Sequence, residues 1–390
     1  MTLKRISIFT IISLFGLAMI VAPALAIEGS YKVGAVFSVT GRASFLGDPE
    51  KKTAEMITEQ INKAGGINGK KLELIVYDTE GDSTKSALLV KKLINQDKVC
   101  AVIGPSTSGE SLAVVPLAQK HQVPLISCAA SYKIVTDEKT GKQYKWVFKT
   151  PQSDSMAVEA LYNHLKKSGI SKVAIMSGTT GFGKSGRGEL IRLAPKYGIT
   201  IVADETFGPK DTDMTVQLTK IKGIVPQAII SWSIGPTQVL VLRNWKDLGM
   251  TSIPFFQSHG FGSRKNIEMA AGAAENVSAP LGACNTPEAL PADHPQKAVT
   301  MKYNQDYMAK YNEPVSSFGG HAWDSLYLVI NALKAVGCDR VAIRDFIENT
   351  KGFVGQHGIF NFSKDDHNGL TWQQSFNMIV VNNGNWAVVH

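Results

Sequence analysis

The 390-residue sequence has few cysteines, no long apolar segment after residue 21 and no dense run of basic residues. A membrane-spanning helix needs about 20 apolar residues, so no later segment is expected to cross a bilayer. The four cysteines form no CxxC pair, which excludes the commonest spacing of metal ligands. Lysines and arginines alternate with acids, so the formal charge of +8 is interpreted as solvated surface and not as a nucleic-acid patch.

Familiar catalytic motifs are also missing. The sequence has no GxSxG elbow and no HExxH pair, and its histidines are scattered. Residues 178–185 read GTTGFGKS and match the phosphate-loop pattern between a predicted strand and a predicted helix. No later strand of that region ends in the Asp that would hold magnesium, because residues 228–233 end in Ser-Trp-Ser. The match is interpreted as a Gly-rich turn, and no enzyme, cofactor or metal site is predicted.

The first 26 residues have the layout of a secretory signal peptide. Lys4 and Arg5 precede an apolar run over residues 6–21, and Ala24-Leu25-Ala26 supplies the small residues of a cleavage site. We expect cleavage after Ala26, which leaves a chain of formal charge +6 in the periplasm. Export permits disulfides, and whether any cysteines pair stays open. Cys100 and Cys128 lie in apolar strand-like runs, where a buried free thiol is common.

Short apolar segments alternate with amphipathic ones along most of the chain, which predicts parallel sheets covered by helices on both faces. The pattern runs through residues 31–128 and restarts at Asp154, which is predicted to cap a helix over 156–167. After residue 280 two helices, 296–311 and 322–336, precede short strands and an Asn382-Asn383-Gly384 hairpin turn. The sequence therefore predicts an α/β protein of two doubly wound lobes, which the C-terminal part returns to complete.

Ligands of open α/β sheets bind at the carboxyl ends of the strands. In the first lobe these loops are rich in Ser and Thr at predicted helix starts, where hydroxyls and free N–H groups form an anion cradle. Helix capping is the alternative reason for those residues. In the second lobe the equivalent loops carry Phe182, Trp232 and His259. These rings either cover a ligand or pack beneath loops.

Several short stretches together resemble the leucine/isoleucine/valine-binding protein family, the type I periplasmic binding proteins. They are residues 33–41 (VGAVFSVTG), 64–69 (AGGING), 76–78 (VYD), 102–104 (VIG), 124–127 (PLIS) and 149–151 (KTP). The resemblance implies three crossovers, near Thr150, Leu281 and Gln374. It implies a first lobe of residues 27–149 plus 281–373 and a second lobe of residues 150–280 plus 374–390.

The resemblance also implies the site. The family's ligand carboxylate carries over to Ser108, Ala129 and Ser131, its covering aromatic to Phe182, and its first-lobe wall to Phe45 or Leu46. The candidate ligand-binding set is Phe45, Leu46, Ser108, Ala129, Ser131, Phe182, Trp232, Ile234 and His259. The family's disulfide positions fall on Gly81 and Thr107, so that bridge is not expected here.

One departure concerns the ligand ammonium. Amino-acid binders of the family place a Glu after the strand that matches residues 255–257, but this sequence reads Ser258-His259-Gly260. Asp78, Asp154 and Asp324 are possible substitutes. Two ligand classes stay open: a branched-chain or apolar amino acid, and an aromatic or aliphatic carboxylate without an amine. We expect a monomeric solute-binding protein that serves an ABC transporter permease; an exported hydrolase and an extracellular sensor domain are the alternatives.

Overall fold

Two separate sheets organise residues 29–389, which are the residues that the computed structural model describes. The predicted signal peptide lies outside this range. The first lobe is built on a five-stranded, wholly parallel sheet of order β2-β1-β3-β4-β5. Its elements are β1 (Ser30–Phe37), α1 (Ser44–Lys63), β2 (Lys71–Asp78), α2 (Ser83–Asn95), β3 (Ala101–Ile103), α3 (Ser108–His121), β4 (Leu125–Ser127) and β5 (Val147–Lys149).

The second lobe continues the same alternation of strand and helix. Its elements are α4 (Asp154–Lys167), β6 (Lys172–Gly178), α5 (Gly181–Tyr197), β7 (Thr200–Phe207), α6 (Thr215–Ile224), β8 (Ala228–Trp232), α7 (Pro236–Asp247), β9 (Phe255–Gln257), α8 (Arg264–Met269) and β10 (Ser278–Leu281).

The C-terminal part returns to both lobes, as the sequence predicts. Its elements are α9 (Lys297–Tyr311), α10 (Ser317–Val336), α11 (Arg340–Glu348), β11 (Phe353–Val354), β12 (Ile359–Phe360), α12 (Trp372–Ser375), β13 (Asn377–Asn382) and β14 (Asn385–Val388). The last two strands join the second sheet, whose order is β14-β13-β10-β9-β8-β6-β7. This edge differs from the expected parallel sheet, because β13 runs antiparallel to both β10 and β14.

Strand alternation explains why each sheet has a core on both faces. Val33, Ala35 and Phe37 of β1 pack into a core with α1 and α10, whereas Val36 packs with α2 and α3 on the other face. Side chains of a strand point to opposite faces in turn, so an apolar strand with no polar face must be covered twice. The near-continuous apolar strands of the sequence are therefore the signal for this doubly wound fold, which the structure confirms.

Three chain segments cross between the lobes: one between β5 and α4, one after β10 and one between β12 and α12. The exact lobe boundaries given above stay a prediction. The Asn382–Gly384 hairpin turn is confirmed, because Asn383 and Gly384 both have positive φ. Helices α8 and α11 and strand β10 were not predicted. Within residues 29–389 no helix is long and apolar enough to span a bilayer.

Two local predictions were wrong. Asp154 is not the cap of α4, since Ser153 holds the N-cap position and Asp154 is the first helical residue. Its carboxylate instead accepts hydrogen bonds from the backbone N–H groups of Tyr132 and Ser155. Cys100 is not a free thiol, because it forms a disulfide with Cys338, 238 residues further along the chain. Cys128 is a buried free thiol, as expected.

The disulfide is expected to stabilise the first lobe by closing a very long loop. In the chain-entropy account such a cross-link contributes about 2–5 kcal/mol to the free energy of unfolding. Reductant should therefore lower the urea midpoint of the wild-type protein, and Cys338→Ser should lower it by a similar amount without reductant. The variant's own midpoint should not respond to reductant. A wild-type midpoint unchanged after verified reduction would contradict this role.

Candidate functional site

A cavity of about 590 Å³ lies between the two lobes. This volume is typical of a site for a small organic molecule. Both lobes contribute to its wall, mainly through loops and helix starts at the carboxyl ends of the strands. The first lobe supplies residues 42–43, 45–46, 80–81, 83, 106–109, 128–130, Phe318 and His321, and the second supplies 180–182, 209–212, 234–237, Leu240, His259 and Gly260, with Pro151 between them.

The start of helix α3 forms the polar part of the first-lobe wall. Thr107 is the N-cap, and its hydroxyl and the side chain of Glu110 make a reciprocal capping box. The first N–H groups of a helix have no partner within the helix. Because Glu110 N is satisfied by Thr107, the N–H groups of Ser108 and Gly109 remain to meet a ligand. This arrangement favours an anion, since the helix dipole is positive at this end.

Two carboxyl groups lie beneath this wall but do not reach the cavity. Glu110 accepts hydrogen bonds from the hydroxyls of Ser38 and Thr107. Glu50 accepts one from Ser106. Both acids are fully buried. Burial raises the pKa of Glu50 well above its ordinary value, and the nearby Glu110 charge adds to the effect of burial. Burial therefore favours the neutral form of Glu50, and Ser106 separates it from the cavity.

The second-lobe wall is a cluster of three aromatic rings. The centroids of Phe182 and His259 lie 5.3 Å apart, and Trp232 lies 5.9 Å from Phe182 and 5.6 Å from His259. Phe182 and His259 line the cavity, whereas Trp232 is fully buried behind them. Trp232 also packs against α5 at Gly186, where a Cβ would fall 1.9 Å from the indole Nε1. Both alternatives given for these rings therefore apply: Phe182 and His259 face the cavity, and Trp232 packs behind them.

His259 is a buried polar group without compensation. It is 8% exposed, and neither ring nitrogen has a hydrogen-bond partner among the described residues. Burial, together with the charge of Lys149, lowers the pKa of His259 to about 3. The imidazole is therefore neutral at physiological pH. A buried polar group with no partner is costly, and a ligand in the adjoining cavity is the natural source of one.

Helix α10 adds two rings that the sequence interpretation missed. Phe318 and His321 are one turn apart on the same helix face and both line the cavity. Their spacing was visible in the sequence, but nothing local indicates that this face meets the cleft. Phe318 also packs edge to face against Phe45, with centroids 5.7 Å apart.

A buried pair of charged groups, His357 and Asp324 of α10, lies behind His321. His357 Nδ1 lies 3.0 Å from Asp324 Oδ2, and the ring of His357 stacks on that of His321 with centroids 3.8 Å apart. Burial opposes a charge on His357, but Cys284 and the Asp324 carboxylate outweigh burial and raise the pKa of His357 to about 9. Burial, followed by the His357 charge, lowers the pKa of His321 well below its ordinary value. His321 therefore faces the cavity as a neutral ring.

A buried lysine lies at the first crossover. Lys149 Nζ donates to the carbonyl oxygens of Ala130, 3.1 Å away, and Pro151, 2.7 Å away. Both acceptors belong to residues that line the cavity. Burial lowers the pKa of Lys149 to about 7, and burial raises the pKa of its neighbour Asp154 to about 6. The lysine fixes the loop that follows β4.

The structure brings seven of the nine predicted site residues to the cavity wall: Phe45, Leu46, Ser108, Ala129, Phe182, Ile234 and His259. Ser131 and Trp232 lie behind it. The Ser131 hydroxyl instead lies 2.7 Å from that of Ser185 on α5, and its N–H donates to Ser108 Oγ. Whether these residues bind a ligand stays a prediction.

The three aspartates considered as ammonium partners all have other roles, and none lines the cavity. Asp78 accepts from the N–H groups of residues 39, 40 and 80. Asp154 accepts from the N–H groups of Tyr132, in the loop after β4, and of Ser155. Asp324 accepts from the backbone N–H groups of residues 356 and 357 as well as from the His357 ring.

In the structure, the segment that matches the phosphate-loop pattern does not form an extended loop. Helix α5 already begins at Gly181, and the Thr180 hydroxyl caps it by accepting from Gly183 N. Gly183 packs so tightly that a Cβ would lie 1.9 Å from Gly178 O. Lys184 is exposed on the helix. The sequence predicts a Gly-rich turn here, but only residues 179 and 180 connect β6 to α5, and Gly181 and Gly183 lie in the helix, where Gly183 allows close packing.

The cleft is closed, and backbone contact between the lobes makes the closure tight. A Cβ on Gly181 of α5 would lie 2.9 Å from Gly109 N of α3. The Ser131–Ser185 hydrogen bond joins the lobes near this point. At the cleft mouth Arg42 Nη1 donates to Pro209 O at 2.8 Å. The two helix starts therefore touch directly across the cavity entrance.

A cavity enclosed by two doubly wound lobes and three crossovers defines a bilobal solute-binding protein. The comparisons agree: the model of a periplasmic binding protein family matches residues 30–385. This chain belongs to the periplasmic binding protein family.

Individual relatives are similar over most of the chain. The leucine-, isoleucine-, valine-, threonine- and alanine-binding protein of Pseudomonas aeruginosa is 25% identical over 307 residues, which are 78% of each protein. An extracellular ligand-binding receptor from Rhodopseudomonas palustris HaA2 superposes with a TM-score of 0.85 at 29% identity, over 92% of this chain and 99% of that one. The branched-chain amino acid transporter substrate-binding protein LivJ of Streptococcus pneumoniae, solved with isoleucine, gives 0.80 at 31% identity, over 92% and 99%.

The glycine contact across the cleft can be tested with Gly181→Ala. The added Cβ must displace the Gly109 backbone, so we expect the closed form to be disfavoured and ligand affinity to fall at least about tenfold, while the melting temperature of the free protein stays nearly constant. Small-angle scattering with ligand should show a larger radius of gyration than for the wild type. Gly188→Ala on the same helix is the matched control, since its Cβ would meet nothing within 4 Å. Unchanged affinity in Gly181→Ala would refute the closure contact.

The His357–Asp324 pair predicts a specific pH dependence. The folded-state pKa of His357 is raised to about 9 from its ordinary 6.5, so its contribution to stability is complete below pH 6.5 and is lost as the pH rises through 9. The stability difference between the wild type and His357→Gln should therefore shrink between pH 6.5 and 9, as measured by urea unfolding. A difference that does not vary with pH would show that His357 is not charged in the folded protein.

Proposed function

We propose that this protein captures a small apolar amino acid or a related organic acid between its lobes and delivers it to an ABC transporter permease. The enclosed cavity carries the proposal: its wall combines unpaired N–H groups at the start of α3 with the rings of Phe182, His259 and Phe318 from both lobes. Such a wall binds an anionic end by hydrogen bonds and an apolar body by contact. The isoleucine bound by the Streptococcus relative supports the same class of ligand.

The proposed setting is the periplasm. The family description names this compartment, and the first 26 residues have the composition of a signal peptide cleaved after Ala26. We propose that the mature protein acts as a monomer whose lobes close on the ligand, with hinges near Thr150, Leu281 and Gln374. The permease would recognise the closed form.

The residues proposed to hold the ligand divide by lobe. Ser108 and the Ala129 loop receive the carboxylate, Phe45 and Leu46 contact the apolar body from the same side, and Ser131 orients Ser108. Phe182, Ile234 and His259 cover the ligand from the second lobe, and Trp232 supports them. We add Phe318 and His321 to the proposed set because both line the cavity.

One buried group of side chains, Cys284, His357 and Asp324, resembles a catalytic arrangement. Cys284 Sγ lies 3.6 Å from His357 Nε2, and His357 Nδ1 lies 3.0 Å from Asp324, which is the order of nucleophile, base and acid. However, Cys284 is 1% exposed and does not line the cavity. A substrate in the cavity would not reach the thiol. The three residues instead hold the segment after β10 against α10, and binding without turnover is the proposed outcome.

Thermal-shift screening with apolar amino acids and organic acids tests the proposal. A ligand at about 100 times its dissociation constant adds about 2.7 kcal/mol to stability, so a bound solute should raise the melting temperature. Ser108→Ala should weaken that solute about 10- to 100-fold, because it removes a hydrogen bond to a charged group. The bound solute should be recovered unchanged. Chemical conversion of the solute, or no shift with any member of the panel, would refute the proposed function.

A further inference from the structure

We propose that the cavity selects apolar carboxylates that lack an α-ammonium group, and that the corresponding zwitterionic amino acids bind far more weakly. This inference rests on the proposed function, because it names the ligand class of the same cavity. Four observations carry it: the acids of the cavity wall, the acids behind it, the two histidines and the buried lysine.

The acids of the wall are confined to the cleft mouth. Among the described residues that line the cavity, the only acids are Glu80 and Asp211, and both are exposed. Glu80 pairs with Lys85 at 2.5 Å. Asp211 accepts from Gly208 N at 2.8 Å. Neither belongs to the inner wall around Ser108, where the carboxylate would be held.

The buried acids near the inner wall are already used. Glu110 belongs to the capping box of α3, and Glu50 is hydrogen-bonded to Ser106. Asp154 and Asp324 are bound to backbone N–H groups on the far side of the wall. An α-ammonium lies one carbon from its carboxylate, so it must be compensated beside the start of α3. No acid of the described cavity wall is placed to do so, and an uncompensated buried charge is strongly unfavourable.

The inner wall contains two histidines, His259 and His321, and both are neutral. Their pKa values are lowered by burial and by the charges of Lys149 and His357. The His357 charge also disfavours a further positive charge in the cavity. A neutral imidazole can instead donate one hydrogen bond and accept another, although His321 Nδ1 already lies 3.2 Å from His357 Nδ1. His259, with both nitrogens unpartnered, can meet a ligand hydroxyl or a carboxylate oxygen.

A buried lysine and a helix start close the inner end of the cavity, and burial lowers the pKa of this lysine to about 7. Lys149 lies one residue layer behind the wall, bonded to the carbonyl groups of Ala130 and Pro151. The start of α3 adds its own positive end. Rings of Phe45, Phe182 and Phe318 supply apolar contact for the rest of the ligand. The wall is therefore complementary to a molecule that is anionic at one end, apolar elsewhere and without a cationic group.

Matched ligand pairs test the inference on the wild-type protein. Leucine and 4-methylpentanoate differ only in the ammonium, as do phenylalanine and 3-phenylpropanoate. Isothermal titration at pH 7.5 should show the amine-free member of at least one pair bound about 10- to 100-fold more tightly. 4-Methylpentanamide and 3-phenylpropanamide, which lack the negative charge, should bind more weakly than their acids. An amino acid that binds as tightly as its amine-free partner, or more tightly, overturns the inference and leaves the proposed function intact.

A change at His259 gives a second measurement. His259→Glu places an acid in the inner wall, so it should weaken binding of the preferred carboxylate at least tenfold. It should also reduce or reverse the preference for the amine-free acid over its amino acid. His259→Gln is the matched control, since it keeps a neutral donor and acceptor and should keep the preference. If His259→Glu does not fold, the wild-type pairs decide alone. If no member of either pair binds the wild type, the inference is wrong; the proposed function also fails only if the broader panel shows no bound solute.

Discussion

Direct backbone contact between the starts of two helices, one from each lobe, is the constraint on which the site depends. Gly181 of α5 approaches Gly109 of α3 so closely that no side chain fits between them. This contact brings Phe182, the next residue of α5, over the N–H groups at the start of α3. It also brings Ser185 to Ser131. A larger residue at Gly181 would hold the lobes apart, and the cavity would then be an open groove in which water competes for every hydrogen bond.

Closure has an electrostatic consequence that follows from burial alone. A histidine in the closed cleft cannot keep a proton unless an acid lies beside it, because the charged form loses its hydration. His357 has Asp324 and is charged, whereas His259 and His321 have no such partner and are neutral. His357 is therefore a cation behind the wall, whereas burial lowers the pKa of Lys149 to about 7. The charged side chains that line the cavity, Arg42, Glu80, Lys210 and Asp211, are all exposed. The inner wall around Ser108 presents hydroxyls, N–H groups, neutral imidazoles, phenyl rings, a thiol and aliphatic groups to the ligand.

The sequence predicted most of the fold because the fold depends on local patterns. Apolar strands without a polar face require helices on both sides, and this alone indicates doubly wound lobes. The loops of the first-lobe wall were predicted from the rule that ligands bind at the carboxyl ends of strands. The Cys100–Cys338 disulfide was not predictable, since its partners are 238 residues apart and no spacing rule connects them. His321 was missed as a residue of the cavity wall because tertiary packing, and not the local sequence, decides whether its face of α10 meets the core or the cleft.

That disulfide also links the two parts of the first-lobe wall. Cys100 immediately precedes β3, which leads into the loop and α3 that carry Ser108. Cys338 follows the end of α10, which carries Phe318 and His321 at its other end. A covalent bond at the far edge of the lobe therefore fixes α10 relative to β3, and the packing of α10 against α1 and β1 fixes it along its length. Because both halves of this wall belong to one rigid unit, lobe motion at the crossovers changes the distance to Phe182 and His259 without rearranging the wall itself. The geometry of the first-lobe wall is in this way independent of lobe closure.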